Sequence, residues 1–189
     1  MGIVLASGSP RRRELLRMIG IEDFDVIPDE SHELMPQGLP PEQTVCEIAI
    51  AKAKNISRIC NEYDTIIAAD TLVYLDGLPL GKPESPAGAE TMLKTLSGRM
   101  HTVYTGLALM RGGKHIACAE MTRVQFREIS DAEISAYVRT GEPMDKAGAY
   151  GAQGRGAIFI ERIEGDFFNV MGLPLCRLSM MLKEFGVDV

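Results

Sequence analysis

A mixed α/β fold, a twisted sheet with flanking helices, is what this sequence predicts, and three observations carry the prediction. Strand-like apolar runs alternate with helical patterns early in the chain, strand-like runs follow one another directly through the middle, and no repeat or linker interrupts the series. Residues 2–6 form the first apolar run, ending in Ser7-Gly8-Ser9. Ser9-Pro10 then reads as an N-cap and first helical position, opening a helix to about Met18 with Gly20 as its stop. Phe24 to Pro28 reads as a second short strand, and residues 29–41, polar and proline-bearing, as a loop. A long helix is expected from about Glu42 to Cys60, with Val45, Ile48, Ile56 and Ile59 on one apolar stripe. Lys52 falls on that stripe, four residues from both Ile48 and Ile56, either as a snorkelling lysine or as one aimed from the core side at a ligand.

TIIAAD, residues 65–70, has strand length and ends in an acid, and TLVYLDGLPLG continues it with the hairpin signal Asp76-Gly77. Ser85-Pro86 caps a helix that runs to Leu96 and stops at Gly98. Strands are expected over 101–110 and 115–129, around the turn Arg111-Gly112-Gly113-Lys114. Ser130-Asp131-Ala132-Glu133 is a capping box, so 131–139 should be helical. The glycine-rich stretch 148–156 precedes a strand, AIFIERI, then a turn near Gly165-Asp166 and a last helix after Pro174.

The 189 residues suit a single domain, 1–189. A net charge of −6 argues against a general nucleic-acid binder, which needs a broad basic surface. Cys46, Cys60, Cys118 and Cys176 are scattered without a CxxC pair, as free thiols in a reducing compartment would be, and His32, His101 and His115 are too dispersed for a metal cluster. No apolar run approaches membrane-span length, so no membrane partner and a cytoplasmic location are expected.

Against the acidic background, Arg11, Arg12 and Arg13 occupy the first turn of a helix, where the dipole disfavours cations. Helix amides, two hydroxyls and guanidinium groups together make a phosphate or carboxylate cradle, although a solvated arginine face has the same pattern. Neither GxxxxGK[ST] nor GxGxxG follows a strand, which disfavours P-loop and dinucleotide-binding enzymes. Asp70 stands at the carboxyl end of a buried apolar run, as an active group or as a turn aspartate. Glu30 and Glu33, in the polar loop, could join a polyphosphate in holding a hard divalent cation. KAGAYGAQGRG, 146–156, is a tight loop or a close backbone approach to a ligand, and its Gln153 offers a donor and an acceptor to a base edge. Lys82 is held between Gly81 and Pro83. Together these residues point to a cleft for a phosphorylated ligand and to metal-assisted hydrolysis.

SGSPRR (7–12), AADT (68–71), GKP (81–83), SGRMHTVYT (97–105), DKAGAYGAQGRG (145–156) and NVMGLPL (169–175) closely resemble the Maf family of nucleoside triphosphate pyrophosphatases, in order and over nearly the whole chain. The resemblance implies a fold related to the inosine-triphosphate pyrophosphatases, with two lobes around a cleft. It implies cleavage between the α and β phosphates, a divalent metal (Mg²⁺ or Mn²⁺) held by Asp70 and Glu33, and Asp70 as proton acceptor. Ser7, Arg11, Arg12, Glu33, Lys52 and Lys82 match polar substrate-binding positions, and Arg11, Thr71 and Gln153 match the specificity positions of the subgroup acting on dTTP and UTP. Arg13, where relatives vary, is peripheral, and His32 beside Glu33 departs from the family's usual acidic residue. The resemblance also carries links to nucleotide-pool sanitation and cell-division arrest, so the alternatives are a non-catalytic nucleotide-binding regulator of septum formation and a relative preferring 7-methyl-GTP. It leaves a homodimer open.

Overall fold

The structure, a computed structural model, describes residues 2–31 and 35–187. Glu33 and His32 lie outside the described residues. Seven strands form one sheet: β1 (Ile3–Leu5), β2 (Asp25–Val26), β3 (Thr65–Leu75), β4 (Leu78–Leu80), β5 (Met100–Arg111), β6 (Lys114–Phe126) and β7 (Ile160–Glu164). The order is β2-β1-β3-β5-β6-β7, with β4 paired to β3. β1 runs parallel to both β2 and β3, whereas β3–β4 and β6–β7 are antiparallel, so the sheet is mixed as expected. The helices are α1 (Pro10–Met18), α2 (Pro41–Ser57), α3 (Pro86–Leu96), α4 (Asp131–Val138), α5 (Phe167–Met171) and α6 (Leu175–Glu184).

Contacts divide the chain into two units, each discontinuous in sequence. The first holds residues Met1–Asp70, Thr105–Glu120 and Gly172–Val189, and the second Thr71–Tyr104 and Met121–Met171. Val4, Ala6, Ala49, Ala53, Ile56, Ile66 and Ala68 are among the buried core of the first unit. The missing side chain of Gly106 on β5 lets α2 lie close: a Cβ built there would overlap the Val45 carbonyl and come 2.7 Å from the Cys46 nitrogen. The second unit centres on Phe126, Phe159, Leu93, Leu96, Ile134 and Tyr137, with α3 packed on α4. His101 is buried there, its Nε2 2.8 Å from the Tyr150 hydroxyl.

Several elements differ from the sequence reading. β3 continues, as read, through the β-prone Thr71–Leu75 to the Asp76-Gly77 turn, where both residues take positive φ (51° and 77°), so Asp70 sits within the strand and does not close it. α2 stops at Ser57, so Ile59 lies beyond the helix and is 70% exposed instead of completing the stripe. β6 ends at Phe126, and the first residues of AIFIERI wind into a 3-10 turn over Arg155–Phe159 before β7 begins. α5, too short to show helical periodicity, is capped by Asp166, whose Oδ1 accepts the Phe168 amide at 2.8 Å. The capping box of α4 is present as read, with Ser130 and Glu133 bonding each other's backbone amides.

Candidate active site

The first unit gathers Ser7, Arg11, Arg12, Lys52 and Asp70. β1 and β3 are adjacent and parallel, with Leu5 opposite Ile67. Ser7 and Asp70 lie two and three residues past that pair, so both follow the carboxyl end of the parallel register. The chain leaving β1 turns through Gly8 and Ser9 into α1. Ser9 occupies the N-cap position, but its side chain makes no cap bond, contrary to the expected role. Its amide instead donates to Ser7 Oγ at 3.3 Å, tightening the turn.

Arg12 points back over that turn. Its Nη1 donates to Ser7 Oγ at 3.1 Å and its Nε to the Gly172 carbonyl at 2.8 Å, which ties the start of α1 to the segment before α6. This arginine is therefore half-buried and engaged in the fold. Arg11, also half-buried, has no hydrogen bond or ion pair among the described residues. No acid occupies the first turn of α1, so the positive end of the helix dipole and the guanidinium groups add at one place.

Lys52 and Asp70 are brought together by α2 lying against β3. Lys52 Nζ donates to Asp70 Oδ1 at 2.7 Å. Burying a carboxylate beside an apolar strand is costly unless a counter-charge accompanies it, and Lys52 supplies that charge from within the helix stripe. Asp70 Oδ2 is buried and has no hydrogen-bond partner among the described residues. An acceptor desolvated and left unpaired in this way is unusual, and it is the position from which a carboxylate can receive a proton or bind a cation.

One turn beyond Lys52, Asn55 Nδ2 donates to Asp29 Oδ2 at 3.1 Å and to Ser31 Oγ at 3.0 Å. Burial alone would raise the Asp29 carboxyl, but Asn55, the Ser31 amide and hydroxyl, and the charge of Lys52 together hold it below its ordinary value. Among the described residues of this loop, Asp29, and not the exposed Glu30, is thus the acid bonded to α2. Asn55 and Asp29 were not singled out by sequence, although an amide three residues from a stripe lysine was the available signal.

The second unit carries Thr71, Lys82 and Gln153. Thr71, half-buried, follows Asp70 directly on β3. Lys82 is exposed just after β4, and the neighbouring Gly81 carbonyl accepts the Gly148 amide at 3.1 Å. Gln153 is exposed within the glycine-rich loop.

A sequence model of the Maf-like protein family matches residues 2–185. The chain is 50% identical to a Moorella thermoacetica protein named dTTP/UTP pyrophosphatase, over 99% of this chain and 96% of that one. A Methanosarcina mazei protein of the same name is 48% identical, over 99% and 95% of the two chains. Among solved structures, a HAM1 protein from Coxiella burnetii shares the fold with a TM-score of 0.53 at 20% identity, covering 97% of this chain and 99% of its own. The Staphylococcus aureus Ham1 protein does so with a TM-score of 0.50 at 19% identity, over 85% and 80%.

Proposed function

Because the chain belongs to the Maf family, we propose that it is a nucleoside triphosphate pyrophosphatase that hydrolyses dTTP and UTP to the monophosphate and pyrophosphate. The observation that carries the chemistry is the Asp70 carboxylate, with one oxygen held by Lys52 and the other buried and unpartnered. In this reading Oδ2 receives the proton of the water that attacks the α-phosphorus, and the bond to the bridging oxygen of the β-phosphate breaks to release pyrophosphate. Lys52 holds Oδ1 and so orients the carboxylate. Arg11 and Lys82 supply positive charge to the leaving pyrophosphate, and Ser7, fixed by Arg12, lines the phosphate position. Thr71 and Gln153 read the base, Gln153 through hydrogen bonds to its edge.

No group of three or more His, Cys, Asp or Glu among the described residues is arranged to hold a metal ion. The alternative role for that oxygen is as a metal ligand: Asp70 Oδ2 and Glu33 would hold a divalent cation such as Mg²⁺ or Mn²⁺, its other ligands coming from phosphate oxygens and water, and Asp70 would then act as a ligand in place of a proton acceptor. When bound, such a cation neutralises charge on the phosphates. The free cysteines and the nucleotide substrate support a cytoplasmic location.

The test is pyrophosphate release from dTTP, UTP, CTP, modified pyrimidine triphosphates and 7-methyl-GTP, with and without EDTA. Turnover of dTTP and UTP that EDTA abolishes supports the reading. Nucleotide binding without turnover would instead favour a regulator of septum formation, and preference for 7-methyl-GTP the other branch of the family.

A further inference from the structure

We propose that Glu142, acting with Tyr137, is the positioning residue that sets Gln153 for base recognition. The inference rests on the base-reading role given to Gln153 above. It comes from the glycine-rich loop itself, whose glycines turn out to admit a neighbouring side chain.

Glu142 opens a 3-10 turn just after α4, and Tyr137 is buried at the end of α4. The Glu142 carboxylate accepts three hydrogen bonds: from the Tyr137 hydroxyl at 2.9 Å, the Arg155 amide at 3.0 Å and the Gly156 amide at 3.2 Å. Tyr137 in turn accepts the Gly151 amide at 3.2 Å. The two side chains therefore grip the loop on both sides of Gln153, at Gly151 before it and at Arg155 and Gly156 after it. Gln153 stands exposed between these anchors.

The glycine spacing follows from that grip. A Cβ at Gly154, which takes φ 144°, would come 2.7 Å from Glu142 Oε1, and one at Gly156 would come 2.7 Å from the Tyr137 hydroxyl. Left ungripped, a loop with three glycines in six residues has high conformational freedom, and a side chain on it would lose much of its hydrogen-bonding precision on ordering. Burial alone would raise the Glu142 carboxyl, yet the Arg155 and Gly156 amides, the Tyr137 hydroxyl and the charge of Lys146 hold it below its ordinary value, so it is an acceptor on all its bonds at neutral pH. Lys146 completes the frame, donating to the Glu142 carbonyl and to Asp145, each at 2.6 Å.

The test combines amide hydrogen exchange with nucleotide discrimination in Glu142→Gln, Gln153→Ala and the double variant. Glu142→Gln turns an amide NH₂ toward a backbone N–H, so exchange at Arg155 and Gly156 should quicken and the dTTP-to-dCTP ratio of kcat/KM should narrow by about tenfold. Gln153→Ala should narrow that ratio comparably, and adding Glu142→Gln to it should narrow it no further, an outcome a merely structural role would not produce. Tyr137→Phe, which removes one hydroxyl, should act in the same direction should Glu142→Gln fold poorly. A ratio that changes in Gln153→Ala but not in Glu142→Gln or Tyr137→Phe overturns the positioning role alone, as do additive losses in the double variant. A ratio unaffected by Gln153→Ala overturns the base-reading role first, and the positioning role with it.

Discussion

Lys52 Nζ stands 2.7 Å from Asp70 Oδ1, and both side chains are largely withdrawn from solvent, at 18% and 9% exposure. The contact joins a helix to the strand that follows it, and it leaves the second carboxylate oxygen buried without a donor among the described residues. A pair serving stability alone would have both oxygens satisfied, because each unsatisfied buried acceptor costs about 1–3 kcal/mol.

Asp70→Asn should therefore keep the fold and bind dTTP while slowing pyrophosphate release by about two to four orders of magnitude. Single-turnover kinetics beside a nucleotide-binding titration separates the two effects. Turnover at the wild-type rate would remove Asp70 from the chemistry.

Lys52→Met leaves the carboxylate without its counter-charge, and the loss of stability should be about 3–5 kcal/mol in a denaturant titration. Adding Asp70→Leu should recover most of that loss and leave no turnover. Stability and catalysis would then part company at one pair of residues.

Gly106→Ala should cost about 3 kcal/mol or more, since the added methyl overlaps the Val45 carbonyl of α2 and backbone cannot step aside as a side chain can. A lower urea midpoint checks this. Activity should fall with the folded fraction, because α2 carries Lys52.

His101 gives a pH dependence whose sign follows from its burial, which lowers its pKa from 6.5 to about 4. The folded state disfavours the imidazolium, so the unfolded chain binds the proton first. Stability is complete above pH 6.5 and is lost progressively as the pH falls toward 4, by on the order of 3 kcal/mol in all. Thermal unfolding between pH 6.5 and 5, above the ordinary carboxylate range, should show this loss in the native chain and much less of it in His101→Gln.

Much of the fold was legible because local signals were strong where they occurred. Ser85-Pro86 and Gly98 bracket α3, and Asp76-Gly77 makes its hairpin with both φ positive. Readings failed where packing overrode pattern. Ile59 has the right spacing for the α2 stripe but falls after the helix has ended, and AIF at 157–159 looks like strand yet winds into a 3-10 turn whose Phe159 is buried among aromatic rings. For the glycine-rich loop the pattern left two readings open, a tight loop and a close backbone approach to a ligand, and its backbone closes on Glu142.

The sequence by itself determined the kind of chemistry. Residue types such as a run of arginines, a carboxylate ending an apolar run and a glutamine among glycines have intrinsic charge and hydrogen-bonding capacity, and the order of motifs identified the family. Only the tertiary structure decided which arginine is engaged in the fold, which acid of the 29–31 loop faces α2, that Lys52 neutralises Asp70, and that Glu142 grips the loop of Gln153. The physical reason is that desolvation and hydrogen-bond partnership depend on distances between segments remote in sequence. A residue's charge is written in its name, but what that charge costs or does depends on what has been packed beside it.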